Sequence, residues 1–123
     1  MVNIKSNISK GELEAEFTKQ IVKFEKEFMG RGPVDARTHL FRDMVLVRLN
    51  GVLTPAEEKL VENSEGRALV KDARRRLFET SRSTLEGFVK EILQTELVEI
   101  FSDISTDRGE RVIVLTVKKN FDE

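Results

Sequence analysis

The stretch LVEIFSDISTDRGERVIVLTV, residues 97–117, decides the fold. Leu97–Ile104 and Arg111–Val117 are dense in β-branched and apolar side chains, the composition of strands. Between them lies Ser105–Glu110, where Asp107, Arg108 and Gly109 supply turn chemistry and Gly109 is able to take a positive φ. The pair predicts an antiparallel hairpin. Upstream, Asp43-Met44-Val45-Leu46-Val47-Arg48-Leu49 predicts another strand. Val45, Val47 and Leu49 face one side and Met44, Leu46 and Arg48 the other. Asn50-Gly51 reads as its exit.

Helical patterns surround these strands. Ser9 is placed to cap a helix, with Glu12 three residues on, as in a capping box. Leu13, Phe17, Ile21, Phe24 and Phe28 then recur at steps of 4, 4, 3 and 4, an apolar stripe that ends at Gly30. Thr54-Pro55-Ala56-Glu57 opens a short helix: Thr54 caps it, Pro55 takes the first position and Glu57 closes the box. Leu60 and Val61 give that helix an apolar side, and Ser64 is placed to cap again after a break at Asn63-Ser64. Gly66 to about Leu93 lacks proline and predicts the longest helix, with Leu69, Ala73, Leu77, Ser81, Leu85, Phe88 and Ile92 as its stripe. Gly87 costs that helix about 1 kcal/mol relative to alanine. Val34–Phe41 is open: Asp35-Ala36-Arg37 suits one helical turn. Residues 1–8 read as a loose start and Lys118–Glu123 as a frayed end.

The expected order is α-β-α-α-β-β. It implies a two-layer α+β domain: a three-stranded antiparallel sheet packed by two long helices and one short one. Met44, Leu46, Ile100, Ile104, Val112 and Val114 include apolar residues that helices on one face would leave bare. A homodimer through the sheet, its edge or the long helix would cover them; helices wrapping both faces of a monomer are the alternative.

At 123 residues the chain is a single domain. Its 21 Lys+Arg against 22 Asp+Glu leave a net charge of −1, which argues against a general nucleic-acid or acidic-membrane binder. The absence of cysteine removes disulfides, thiolate metal sites and cysteine nucleophiles. One histidine excludes a histidine-rich metal centre within the chain. No run nears the roughly 20 apolar residues that span a bilayer, and no apolar signal core follows Met1. The expectation is a soluble, cytoplasmic protein.

Gly30-Arg31-Gly32-Pro33, followed by Arg37, His39 and Arg42, is the most unusual segment. Amides of a glycine-rich turn form anion-binding concavities, and arginine clamps carboxylate, phosphate or bicarbonate in bidentate fashion. Gly30, Arg31, Gly32, Pro33, Arg37 and His39 are therefore the candidate ligand or partner site. The competing reading is a helix stop with arginines paired to Asp35 and Asp43. The spacing is not that of a P-loop. His39 lacks cysteine or histidine companions for a metal and an evident nucleophile for hydrolysis, so no catalytic residue, metal or cofactor is assigned. Arg67, Lys71, Arg74, Arg75, Arg76 and Arg82 make the long helix basic, but Glu65, Asp72, Glu79 and Glu86 interleave at pairing distance and no Tyr or Trp is present for base stacking. Nucleic-acid binding through this helix ranks last. Asp103–Asp107 is oxygen-rich without the ligand pattern of a calcium loop.

Three segments together carry a family resemblance: FTKQIVKFEKEFMGRGPVDARTHLFRDMVLVRLNGVLTPAEEKL at 17–60, EGRALVKDARRRL at 65–77 and SDISTDRGERVIVLTV at 102–117. They resemble the MpsC-like family, a bacterial domain long of unknown function and named for a sodium-translocating, membrane-potential-generating system. The resemblance covers Ser9 to Lys119. It implies an association with membrane systems of ion or inorganic-carbon uptake, so that this chain would be a non-catalytic accessory or regulator held at the membrane through transporter subunits rather than inserted itself. Arg31 and Arg37 match motif positions of the family; no catalytic residue carries over. A small-anion sensor or enzyme built on the Gly-Arg-Gly-Pro loop is the alternative.

Overall fold

In the computed structural model, which describes residues 8–123, the chain runs α1 (Lys10–Met29), β1 (Asp35–Phe41), β2 (Met44–Asn50), α2 (Pro55–Leu60), α3 (Ser64–Glu79), α4 (Arg82–Phe88), β3 (Leu97–Ser105) and β4 (Glu110–Val117). One π-helical turn, Val89–Leu93, extends α4 and brings Val89, Ile92 and Leu93 inward together. The sheet is fully antiparallel in the order β1-β2-β4-β3. The predicted loose start lies outside the described residues apart from Ile8 and the first cap.

The α+β class and the hairpin stand, but the sheet has four strands where the sequence pattern predicted three, and the order becomes α-β-β-α-α-α-β-β. The added strand is β1, in the segment left open to a helical turn. Only Ala36, Thr38 and Leu40 of β1 point to the covered side, so its alternation carries little apolar signal. Its turn to β2 is Arg42-Asp43, without glycine or asparagine, and Arg42 takes φ 53°. Partner strand and α1 hold β1 in place: Thr18 Oγ1 donates to Thr38 Oγ1 (2.7 Å), and the Leu40 amide donates to Glu14 (2.8 Å).

The helices lie on one side of the sheet. Val45, Val47 and Leu49 of β2 and Ile113, Leu115 and Val117 of β4 are buried beneath them with Phe17, Ile21, Phe24, Leu85, Val89 and Leu93. Each large aliphatic group removed from water stabilises by roughly 1.5–3 kcal/mol, before the entropy of ordering the chain is counted. The α1 stripe is as expected through Phe24, against which Phe28 stacks at 5.0 Å between ring centroids. The Ser9 cap and the Thr54–Glu57 capping box are both formed.

The long helix expected from Gly66 to Leu93 is broken. The Thr80 and Ser81 hydroxyls donate back to the carbonyls of Leu77 and Phe78, and α3 stops there. Asn63, not Ser64, caps α3, its side chain accepting from the Gly66 amide at 2.8 Å. The buried face of α3 is Gly66, Val70, Arg74 and Phe78, one position on from the expected Leu69–Ala73–Leu77 stripe. Leu69 and Leu77 are 62% and 46% exposed. An arginine occupies the inward position, so the apolar periodicity pointed to the wrong face. The end at Lys118–Glu123 is also tied down: the Phe121 amide donates to the Arg42 carbonyl (2.8 Å), and Asp122 accepts from the Arg42 amide (2.8 Å) and Lys10 (2.6 Å).

Candidate functional site

Gly30 closes α1 in the left-handed conformation (φ 83°), where the sequence placed it. Arg31, Gly32 and Pro33 are half-buried and lead into β1, and the Val34 amide donates to the Asn50 carbonyl (2.8 Å). Arg37 and His39 follow on β1, both exposed and both on the side of the sheet away from the helices. The ion pairs among the described residues include neither Arg31 nor Arg37, so the pairing to Asp35 and Asp43 considered from the sequence is not made. Arg37 lies instead across from Arg48, and Arg48 is neutralised by Glu110 at 3.2 Å.

Strand register explains what surrounds them. One row across the bare face reads Arg37, Arg48, Val112, Asp103; the next reads His39, Leu46, Val114, Phe101. A third reads Phe41, Met44, Thr116, Glu99. Apolar groups therefore fill the centre, with Phe41 and Phe101 more than half exposed at the margins. Charge is divided. The β1–β2 side carries Arg37 and Arg48, and the β3 side carries Glu99 and Asp103. Both sheet edges are occupied by their own chain: Glu14 takes the Leu40 amide at β1, while Glu99 and Asp103 take the Ile100 (3.0 Å) and Ile104 (2.8 Å) amides at β3. Arg82 donates to the Val98 carbonyl at the same edge (3.1 Å). Such plugged edges resist strand addition.

A second polar constellation is internal, and the sequence reading missed it. Arg74 of α3 is buried and clamps Glu57 with two hydrogen bonds (2.7 and 2.6 Å), its Nη2 also donating to the Val52 carbonyl (2.8 Å). Burial pushes the Glu57 carboxyl up, but the Arg74 hydrogen bonds and the Thr54 amide outweigh it and hold it below the usual range. Arg111 of β4 is buried under the Phe78 ring, 4.8 Å from its centroid, and donates to Ser102 Oγ (3.0 Å). Its Nε lies 3.9 Å from Glu25 of α1, beyond hydrogen-bonding distance. Burial raises the Glu25 carboxyl pKa against the pull of Arg111 and Arg74. Burial likewise lowers that of Arg111. Signals for this cluster were present. Glu25 follows Ile21 by four residues, Arg74 lies midway between Val70 and Phe78, and Arg111 starts the inward alternation of Ile113, Leu115 and Val117.

The basic helix face is largely spent within the chain. Arg75 pairs with Asp72 (2.7 Å) and Glu79 (2.9 Å), and Arg76 with Asp72 (3.0 Å). Among the described residues no group of three or more His, Asp or Glu is arranged to hold a metal ion. No described helix is long and apolar enough to cross a membrane.

Among the described residues, fold and surface define an α+β domain whose helices cover one side of an antiparallel sheet and leave the other bare. The chain belongs to the MpsC family: residues 9–119 match the model described as Na+-translocating membrane potential-generating system (MpsC). It is similar to two uncharacterized proteins of Bacillus subtilis (strain 168). YbcI is 38% identical over 106 residues, 86% of each chain. YrhF is 34% identical over 110 residues, 88% of this chain and 89% of its own. No solved structure matches the chain significantly.

Proposed function

We propose that this protein is a non-catalytic accessory module that acts as a homodimer joined through the bare sheet face, with its Gly-Arg-Gly-Pro loop turned to a membrane transport partner in the cytoplasm. The observation that carries the reading is the helix-free face, apolar along Leu46, Val112 and Val114 and charged with opposite signs on its two sides. A two-fold axis parallel to the strands lays β1 of one copy over β3 of the other, so Arg37 faces Asp103 and His39 faces Phe101. Four strands, each of at least seven residues, cover about 19 by 24 Å over their shared length, the size of a small isologous contact. The plugged edges favour the face over the edge. Placement beside a membrane system rests on membership of a family named for a Na+-translocating membrane potential-generating system. Arg31, unpaired on the connector, and Pro33 remain the residues for the partner.

Sedimentation equilibrium tests the dimer. The wild-type chain should run as a dimer at micromolar concentration, and Leu46→Asp should run as a monomer with an unchanged far-UV spectrum. A monomeric wild type ends the dimer reading. For the partner, affinity capture from membranes should recover a transport subunit with the wild type and lose it with Arg31→Glu; recovery unaffected by that change removes the loop's role.

A further inference from the structure

We infer that the groove between the α3–α4 helices and strand β3 is a binding site for an amphipathic monocarboxylate, whose head group meets Arg111. The groove has a volume of about 770 Å³, within the range of roughly 300–1,000 Å³ that small-molecule sites occupy. Its walls include the apolar side chains of Phe78, Ile100 and Ile104, and its floor is Arg111. The Arg111 side chain is only 3% exposed. The guanidinium is held between two groove residues, under the Phe78 ring and on Ser102 Oγ, while its Nε has no hydrogen-bond partner.

A buried guanidinium so incompletely matched is costly, and a buried polar group of this kind calls for a purpose. Its intramolecular counter-charge, Glu25, is 3.9 Å away and has neither oxygen hydrogen-bonded. A carboxylate entering along the groove would give the guanidinium, at the edge that lines the groove, the close charge-assisted contact that Glu25 does not make. The rim selects what enters. Its cations are already paired: Lys71 with Asp103 (3.6 Å), Arg75 with Asp72 and Glu79, and Arg82 with Glu99 (3.3 Å). With four acids against three bases around the mouth, a polyphosphate gains no attractive field there. One negative charge on an apolar body fits; a nucleotide does not.

The test is calorimetric titration of the full chain with decanoate below its micellar concentration, beside 1-decanol, decyltrimethylammonium and acetate. Decanoate should bind one to one and saturably, at least tenfold more tightly than either long-chain control, and acetate should not saturate. Ala68→Trp places a bulky ring in the groove from an exposed helical position and should abolish binding without disturbing the core. Arg111→Met should abolish it as well if its circular dichroism stays native. Because Arg111 supports the fold, Ala68→Trp is the deciding variant. No saturable binding of decanoate, equal binding of the alcohol or the cation, or unchanged binding by Ala68→Trp overturns the inference. The dimer state of Ala68→Trp, read in parallel, separates this outcome from the sheet-face reading.

Discussion

Glu25 and Arg111 face each other across the middle of the domain, one from the first helix and the other from the central strand β4, with 3.9 Å between Glu25 Oε1 and Arg111 Nε. Both are almost completely buried. The carboxylate has lost water without gaining a hydrogen bond, so burial raises its pKa despite two neighbouring arginines. A carboxyl raised in the folded state contributes stability that is full below its unfolded value, 4.5, and is lost as pH rises through the folded one. Urea unfolding of wild type and Glu25→Gln between pH 5 and 8 checks this. The stability of wild type relative to the variant should fall as pH rises; a constant difference would refute the assignment. Subtracting the two curves cancels the titrating groups that do not interact with Glu25.

Glu57 titrates in the opposite sense. Its pKa lies below 4.5 in the fold, so the Arg74 clamp is at full strength above that value and weakens as pH falls through the folded value. Removing Arg74 strands the partly buried Glu57 and the Val52 carbonyl. Arg74→Ala should cost about 3–5 kcal/mol. In a domain of this size that lowers Tm by about 10 °C or more. Arg75→Ala and Arg76→Ala, one and two residues further along an exposed surface, should leave Tm nearly unchanged. Thermal unfolding of the three variants side by side distinguishes a structural arginine from a basic surface.

That contrast shows where the sequence could be read and where it could not. The hairpin at 97–117, the alternation of β2, the α1 stripe and the Thr54 capping box were legible because each rests on local chemistry: branched side chains, period, cap. Strand β1 was not, because its inward residues Ala36 and Thr38 are small or polar and its turn uses Arg42 in a left-handed conformation without glycine. The face of α3 was misjudged because Leu69 and Leu77 outweigh Arg74 in any apolar count, although Arg74 is the one turned inward to Glu57. Of the candidate site, the helix stop at Gly30 was legible. That Arg37 and His39 sit on a bare sheet face depended on β1 pairing with β2, which no local signal announced.

Of the glycines, Gly66 marks the tightest approach between elements. A Cβ built there would lie 1.6 Å from the Leu60 carbonyl oxygen, so α3 starts hard against the end of α2. This is backbone, not a side chain that can swing aside. Gly66→Ala must separate the two helices, and overpacking of this kind typically costs about 1–3 kcal/mol, opposed by less than 1 kcal/mol of gained helix propensity. Gly87, with nothing near a built Cβ, offers the control. Gly87→Ala should raise the urea midpoint while Gly66→Ala lowers it. A stabilising Gly66→Ala would mean that α2 does not pack where it is placed.

The divided charge of the sheet face gives the proposed dimer a geometric signature that can be measured. In the proposed arrangement, with the strand order of one copy reversed over the other, Arg37 of one copy would meet Asp103 of the other, twice by symmetry. Asp103 already touches Lys71 at 3.6 Å, but it is 81% exposed there and little is lost by disturbing that pair. Arg37→Glu alone and Asp103→Lys alone should each weaken the dimer several-fold, since each places like charges in apposition twice. The double variant should recover most of the loss, because the contact is restored with its signs exchanged. Dissociation constants from sedimentation at two salt concentrations measure the cycle, and the single-variant penalties should shrink at the higher salt. Additive losses in the double variant would place the two residues apart and require a different axis, whereas recovery fixes β1 over β3.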